Sequence, residues 1–165
     1  MHYIIKIKGD KMFYLLMSLA WGNSDQVLNS INIEKYKKER TWLKKETIPD
    51  IVLCTKNVKK IKLVKQAKKV WAQKGEKLGK IKFGSKDDCK YYYIRDAIVV
   101  SDPNRNINLR KEYACTVNLV NKKKIKASHI ELSREIDLHI ITHELGHALG
   151  YDHNQIRNDL MNKEY

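Results

Sequence analysis

Residues 143–153 read HELGHALGYDH, and this stretch limits the fold more than any other part of the chain. His143 and His147 are four residues apart, so on a helix they project from one face, one turn apart. Two imidazoles at that separation can bind one zinc ion. Glu144 points about 100° round the same helix, off the ligand row but within reach of a water held by the metal. A carboxylate there can accept the water's proton, which zinc makes acidic enough to leave near neutral pH. A helix running on past Leu149 would carry residue 153 away from the metal. Gly150 can take positive φ at no steric cost, end the helix and turn the chain back, so that His153 arrives as a third imidazole. Three protein ligands with one open position is the catalytic arrangement of zinc, whereas a structural site closes with four. One catalytic Zn2+ on His143, His147 and His153 is therefore expected.

The flanking chain supplies elements to carry such a helix. Ser133 can cap it, with Ile136, Ile140, Ile141, Leu145, Ala148 and Leu149 turned to a core. Upstream, IPDIVLCT (48–55) reads as a buried strand. NVKKIKLVKQAKKVWAQKG then places Val58, Ile61, Val64, Ala67, Val70 and Trp71 on one helical face, with lysines opposite and Gly75 as a stop. KLGKIKFGS, DAIVVSD, YACTVNLV (113–120) and IKASHIELS (125–133) read as strands, the last two joined by a turn-prone NKKK. Strand, helix, several strands and helix make an α/β or α+β fold with a mixed sheet.

At 165 residues the chain has room for one domain with a real core, and we assign that domain to residues 47–165. MHYIIKIKGDK followed by MFYLLMSLA (12–20) has the order of a secretory signal peptide over residues 1–20: lysines, a short apolar run, then small residues. The alternative is a buried N-terminal strand or helix; the run is too short to span a bilayer, and no transmembrane helix is expected. Residues 21–46 read as an N-terminal arm or short prosegment, helical in part. The net charge of +14 favours acidic partners, an anionic surface or nucleic acid, although lysine is spread over the whole chain as a solvated surface would be. Cys54, Cys89 and Cys115 allow one disulfide at most, with its pairing open.

The extended motif HExxHxxGxxH resembles the signature of the metzincin clan of zinc endopeptidases. That clan also has a methionine in a tight turn beneath the metal, and Met161 lies eight residues after His153. This spacing, with Leu160 before it and Tyr165 four residues after, is similar to the matrixin branch. The resemblance implies a mostly parallel twisted sheet with an antiparallel edge strand, packed with a long helix and an active-site helix. It implies that YACTVNLV is the edge strand that pairs with extended substrate, that Met161 is a hydrophobic floor and not a ligand, and that Tyr165 walls a substrate pocket. Several matrixin features are not seen in these residues: the structural zinc and calcium loops, the cysteine-switch motif and the proline two residues after the methionine (Lys163 stands there). His129 reads as a surface or strand histidine and His139 as a structural or outer-sphere one. If residues 21–46 act as an inhibitory prosegment, Asp25 in GNSDQ is a candidate to approach the zinc.

The expected activity is therefore hydrolysis of peptide bonds in protein or peptide substrates by a secreted, monomeric metalloendopeptidase, with Glu144 as general base. Two alternatives keep the metal. One is an intracellular protease acting beside nucleic acid, which would account for the charge. The other is a non-catalytic, zinc-stabilised binding module, which would have no need of Glu144.

Overall fold

Asp50–Cys54 (DIVLC) forms strand β2, and Ile51, Val52 and Leu53 in it are all buried. Consecutive apolar residues are buried in this way when a strand lies inside a parallel sheet covered on both faces. The computed structural model describes residues 29, 31, 40–42, 47–103 and 114–162, and in it β2 pairs parallel with β3 (Ile81–Phe83) and with β4 (Ala97–Ser101). β1 (Thr41–Trp42), β5 (Ala114–Asn121) and β6 (Lys124–Leu132) complete a six-stranded sheet of order β1-β6-β4-β2-β3, with β5 antiparallel to β6. The other pairings are parallel, including β4 with β6 and the two residues of β1 with the start of β6. The fold is thus a mixed α/β arrangement around a mostly parallel sheet with an antiparallel strand at one edge.

Helix α1 (Val58–Gln73) follows β2, and its apolar spacing buries Val64, Ala67, Val70 and Trp71. It starts at Asn57, whose side chain accepts a hydrogen bond from Lys60 N at 3.2 Å. It stops where Gly75 takes φ +90°, with Gly75 N donating to Ala72 O and Glu76 N to Trp71 O, both at 3.0 Å. Two residues depart from the expected division into apolar and lysine faces. Val58 is 78% exposed at the first position of the helix. Lys60 is buried, because its ammonium reaches Asp102 Oδ1 at 2.5 Å and Leu132 O at 2.8 Å near the ends of β4 and β6. Those partners offset the desolvation that otherwise keeps lysine at the surface.

The short helix α2 (Asp88–Tyr91) carries Cys89, which is disulfide-bonded to Cys54 at the end of β2. Cys115 on β5 stands outside this pair. Helix α3 (Leu138–Ala148) begins later than expected. Asp137 caps it, accepting from Ile140 N at 2.9 Å, while the Ser133 hydroxyl turns to Glu135 O. Ile136 is buried ahead of the helix, so the chain reaches the core before it coils.

Helices α1 and α3 share one face of the sheet. There Trp71, Val64, Ile141 and Leu145 pack with Ile51, Leu53, Ile98, Val100, Ile130 and Leu132. Trp71 Nε1 donates to Thr142 O at 2.8 Å and locks one helix to the other. Ile31 and Trp42 belong to the same core. On the opposite face Val52, Ala97 and Val99 pack with Tyr92 and Ile94. The rest of residues 1–46, including Asp25 and the 1–20 segment, lies outside the described residues. No helix among the described residues is long and apolar enough to cross a membrane.

His129 lies on β6 and is buried, not at the surface. Its Nε2 is 2.8 Å from Ser101 Oγ, and the Tyr92 ring stacks on it with centroids 4.6 Å apart. Burial pushes its pKa down to about 4, and pushes that of His139 on α3 down to about 3 with help from the charge of His143. A folded-state pKa below the unfolded value means the unfolded chain takes up protons first as pH falls. Stability is therefore full above about pH 6.5 and is lost as pH drops from there toward about 4 for His129 and about 3 for His139. Metal-free protein should melt roughly 5 °C or more lower at pH 5 than at pH 7.5; equal melting temperatures by calorimetry would contradict the buried neutral state of these rings.

Candidate metal centre

Helix α3 presents His143 and His147 one turn apart, and its C-terminal end is built to return the chain. Gly150 N donates to His147 O at 2.9 Å and Tyr151 N to Gly146 O at 3.0 Å, the same six-residue closure that ends α1. Gly150 has φ +97°, and a Cβ on it would lie 2.1 Å from Arg40 O. Glycine is required there twice, for the backbone angle and for the close approach of the strand β1 segment. The turn delivers His153 to the other two imidazoles.

The three rings meet through their Nε2 atoms. His147 Nε2 lies 3.0 Å from His143 Nε2 and 3.1 Å from His153 Nε2. One ligand atom from each of the three falls within 4.8 Å of the others, so the group can hold a single metal ion. Zinc–nitrogen bonds of about 2.0–2.1 Å at tetrahedral angles put nitrogens roughly 3.3 Å apart, close to this spacing. The far side of two rings settles their protonation. His143 Nδ1 donates to Leu160 O at 2.6 Å, and His147 Nδ1 donates to Tyr151 O at 2.9 Å. A carbonyl can only accept, so Nδ1 carries the proton and Nε2 keeps its lone pair. Lone pairs facing one another at 3.0 Å repel unless a cation lies between them. Burial pushes the pKa of both His143 and His147 down to about 4, which leaves them neutral, the form that ligates, at physiological pH.

Met161 is fully buried beneath the helix. The turn that places it is held by Asp159, whose Oδ1 accepts from Met161 N at 2.9 Å and from Asn154 Nδ2 at 2.8 Å. Asn154 N in turn donates to Met161 O at 2.7 Å. The same turn puts Leu160 O on His143. Gly146, inside the HExxH stretch, is what lets the turn come so near: a Cβ there would lie 2.6 Å from Met161 Sδ and 2.8 Å from Trp71 Cζ2. Gly146→Ala should destabilise the protein by about 1–3 kcal/mol through overpacking. It should also weaken metal binding, because the displaced turn carries the acceptor of His143. Urea unfolding with a metal titration checks both, and an unchanged pair of values would contradict the packing described.

Glu144 is 8% exposed on α3, and its carboxylate Oε2 accepts from Thr116 Oγ1 at 2.5 Å. The same hydroxyl lies 3.0 Å from Glu144 O. Two residues along β5, Asn118 Nδ2 donates to His147 O at 2.9 Å. Thr116 and Asn118 therefore clamp edge strand β5 against helix α3. Neither residue is among the candidates the sequence offers, and nor are Gly146 and Asp159. A signal was present for the first two: in ACTVNLV the polar residues Thr116 and Asn118 stand two apart, on one face of an otherwise apolar strand. A cleft opens beside the histidines, lined by Arg40, Thr116, Asn118, His147, Tyr151 and His153 among others. Tyr165 and Lys163 lie outside the described residues. His139 is buried on the same helix one turn before His143, outside the three-histidine group.

Comparison with protein-family models and with curated proteins finds no match for the chain.

Proposed function

We propose that the protein is a zinc-dependent metalloendopeptidase of the metzincin type, similar to matrixins. The observation that carries this reading is the convergence of three imidazole Nε2 atoms beside a carboxylate that is not one of the group and is held by its own donor, Thr116. The glycine turn into His153, the buried Met161 under the helix and the antiparallel edge strand β5 support it.

When bound, zinc supplies a Lewis acid that polarises a carbonyl and lets a water lose its proton near neutral pH. His143, His147 and His153 would hold the ion, and the carbonyls of Leu160 and Tyr151 fix the orientation of the first two. The edge of β5 that no described strand pairs with takes an extended peptide as a further strand and lays its backbone across the cleft. Glu144 takes the proton of the attacking water and passes it to the amine that leaves as the C–N bond breaks. Thr116 keeps the Glu144 carboxylate aimed while it does so. The Cys54–Cys89 disulfide supports action in an oxidising, extracellular setting.

The test is a peptide-library digest with protein carrying one zinc per chain. Cleavage that a chelator stops and added zinc restores is the expected result. A zinc-loaded protein that leaves the whole library intact would overturn the reading.

A further inference from the structure

The hairpin joining β5 to β6 is made from residues that resist its geometry. Asn121 pairs with Lys124, so Lys122 and Lys123 alone turn the chain, with φ of 46° and 65°. A two-residue turn with positive φ at both centres favours Asn-Gly, and lysine is strained at either position. Strain of this kind clusters at binding and active sites. Here it puts two exposed ammonium groups at the tip, with no ion pair to either among the described residues.

A third cation stands beside them. Thr41 N donates to Lys123 O at 3.4 Å and Arg40 N donates to Gly150 O at 3.3 Å, so this short segment bridges the hairpin tip and the turn after α3. Arg40 lines the cleft together with Asn118, His147 and His153. Asp152 is the one acid in that lining, and its Oδ1 already accepts from His153 N at 2.9 Å. Along β5 the chain passes from Thr116 at Glu144, to Asn118 at His147, to Lys122 at the tip. Four residues of strand from Asn118 to Lys122 span about 14 Å. A peptide laid along β5 therefore passes from the histidines to a cationic end.

We propose that Arg40, Lys122 and Lys123 form a subsite that selects substrates with acidic residues on one flank of the scissile bond. This rests on the protease reading and names its substrate class. An acidic peptide fits better than nucleic acid, because the cations stand at the end of a strand edge that recognises extended peptide backbone.

The test uses zinc-loaded Glu144→Ala protein and fluorescein-labelled twelve-residue peptides, with a Glu-Asp-Glu run on the N-terminal flank, on the C-terminal flank, or replaced by Gln-Asn-Gln. Fluorescence anisotropy should show one acidic peptide, and only one, binding about tenfold tighter than the neutral one, with the preference lost in 0.5 M salt. The Lys122→Asn/Lys123→Gly variant should lose most of that preference while melting no lower than its parent, because Asn-Gly suits the turn. Arg40→Gln should reduce the preference as well. Equal binding of all three peptides, tighter binding of both acidic ones, or a preference that survives in both variants would overturn the subsite. So would displacement by a single-stranded oligonucleotide at lower concentration than by the acidic peptide. Cleavage of the peptides by the wild type separates the two readings. Cleavage without charge preference sinks the subsite alone, and charge-selective binding with no cleavage sinks the protease reading while leaving an acidic-peptide site in place.

Discussion

Glu144→Ala protein will bind zinc as tightly as the wild type and cleave peptides about 10²–10⁴-fold more slowly. The three imidazoles are untouched, since Nδ1 of His143 and of His147 is held by main-chain carbonyls and not by Glu144. The clamp to β5 also survives in part, because the Thr116 hydroxyl lies 3.0 Å from the carbonyl of residue 144, which the substitution keeps. What disappears is the carboxylate to which the proposal assigns the proton transfer. The loss should fall on kcat, with KM little changed. A companion variant, Thr116→Val, keeps Glu144 and removes its donor. It should lower kcat by roughly tenfold, the cost of a misaimed base, and Thr116→Ser should restore it. An active Glu144→Ala, or one that has lost its zinc, would contradict the role given to this side chain.

His153→Ala will weaken zinc binding by at least about 100-fold while leaving the metal-free protein as stable as before. The bound is conservative, because even an outer-sphere partner of a ligand changes affinity by about 10–100-fold. His153 is the most exposed of the three and arrives on a turn after the helix, so little packing depends on its ring. That separates it from His143, whose replacement would also strand Leu160 O and disturb the Met161 turn. A chelator-competition titration reads the affinity, and thermal unfolding of the metal-free protein reads the stability. Wild-type affinity in the variant would mean that the metal is held elsewhere.

The local parts of this site could be read from the chain because each is written in consecutive residues. Four-residue spacing puts His143 and His147 on one face, and Gly150 is a glycine where the chain must turn. Strands β2, β4, β5 and β6 appear as apolar β-branched runs, and α1 as a three-and-four repeat ending at Gly75. What could not be read depends on contacts far apart in sequence. Lys60 looks like one more surface lysine until Asp102 and Leu132 O come to meet it. The start of α3 moves from Ser133 to Leu138 because Ile136 is drawn into the core and Asp137 offers the better cap. Gly146 appears as a filler position within HExxH, and only the approach of Met161 and Trp71 explains why nothing larger stands there. Thr116 acquires a role through Glu144, 28 residues away, and no local pattern names its partner. The Cys54–Cys89 pairing is of the same kind, since three cysteines leave the choice open until β2 and α2 are brought together.

The most direct test of the central claim is the zinc K-edge X-ray absorption spectrum of protein loaded with one zinc per chain. Three imidazole nitrogens and one further light atom at about 2.0–2.1 Å, with no sulfur, is the expected first shell. A fourth imidazole, or a sulfur at about 2.3 Å, would mean a closed structural site and would contradict the account.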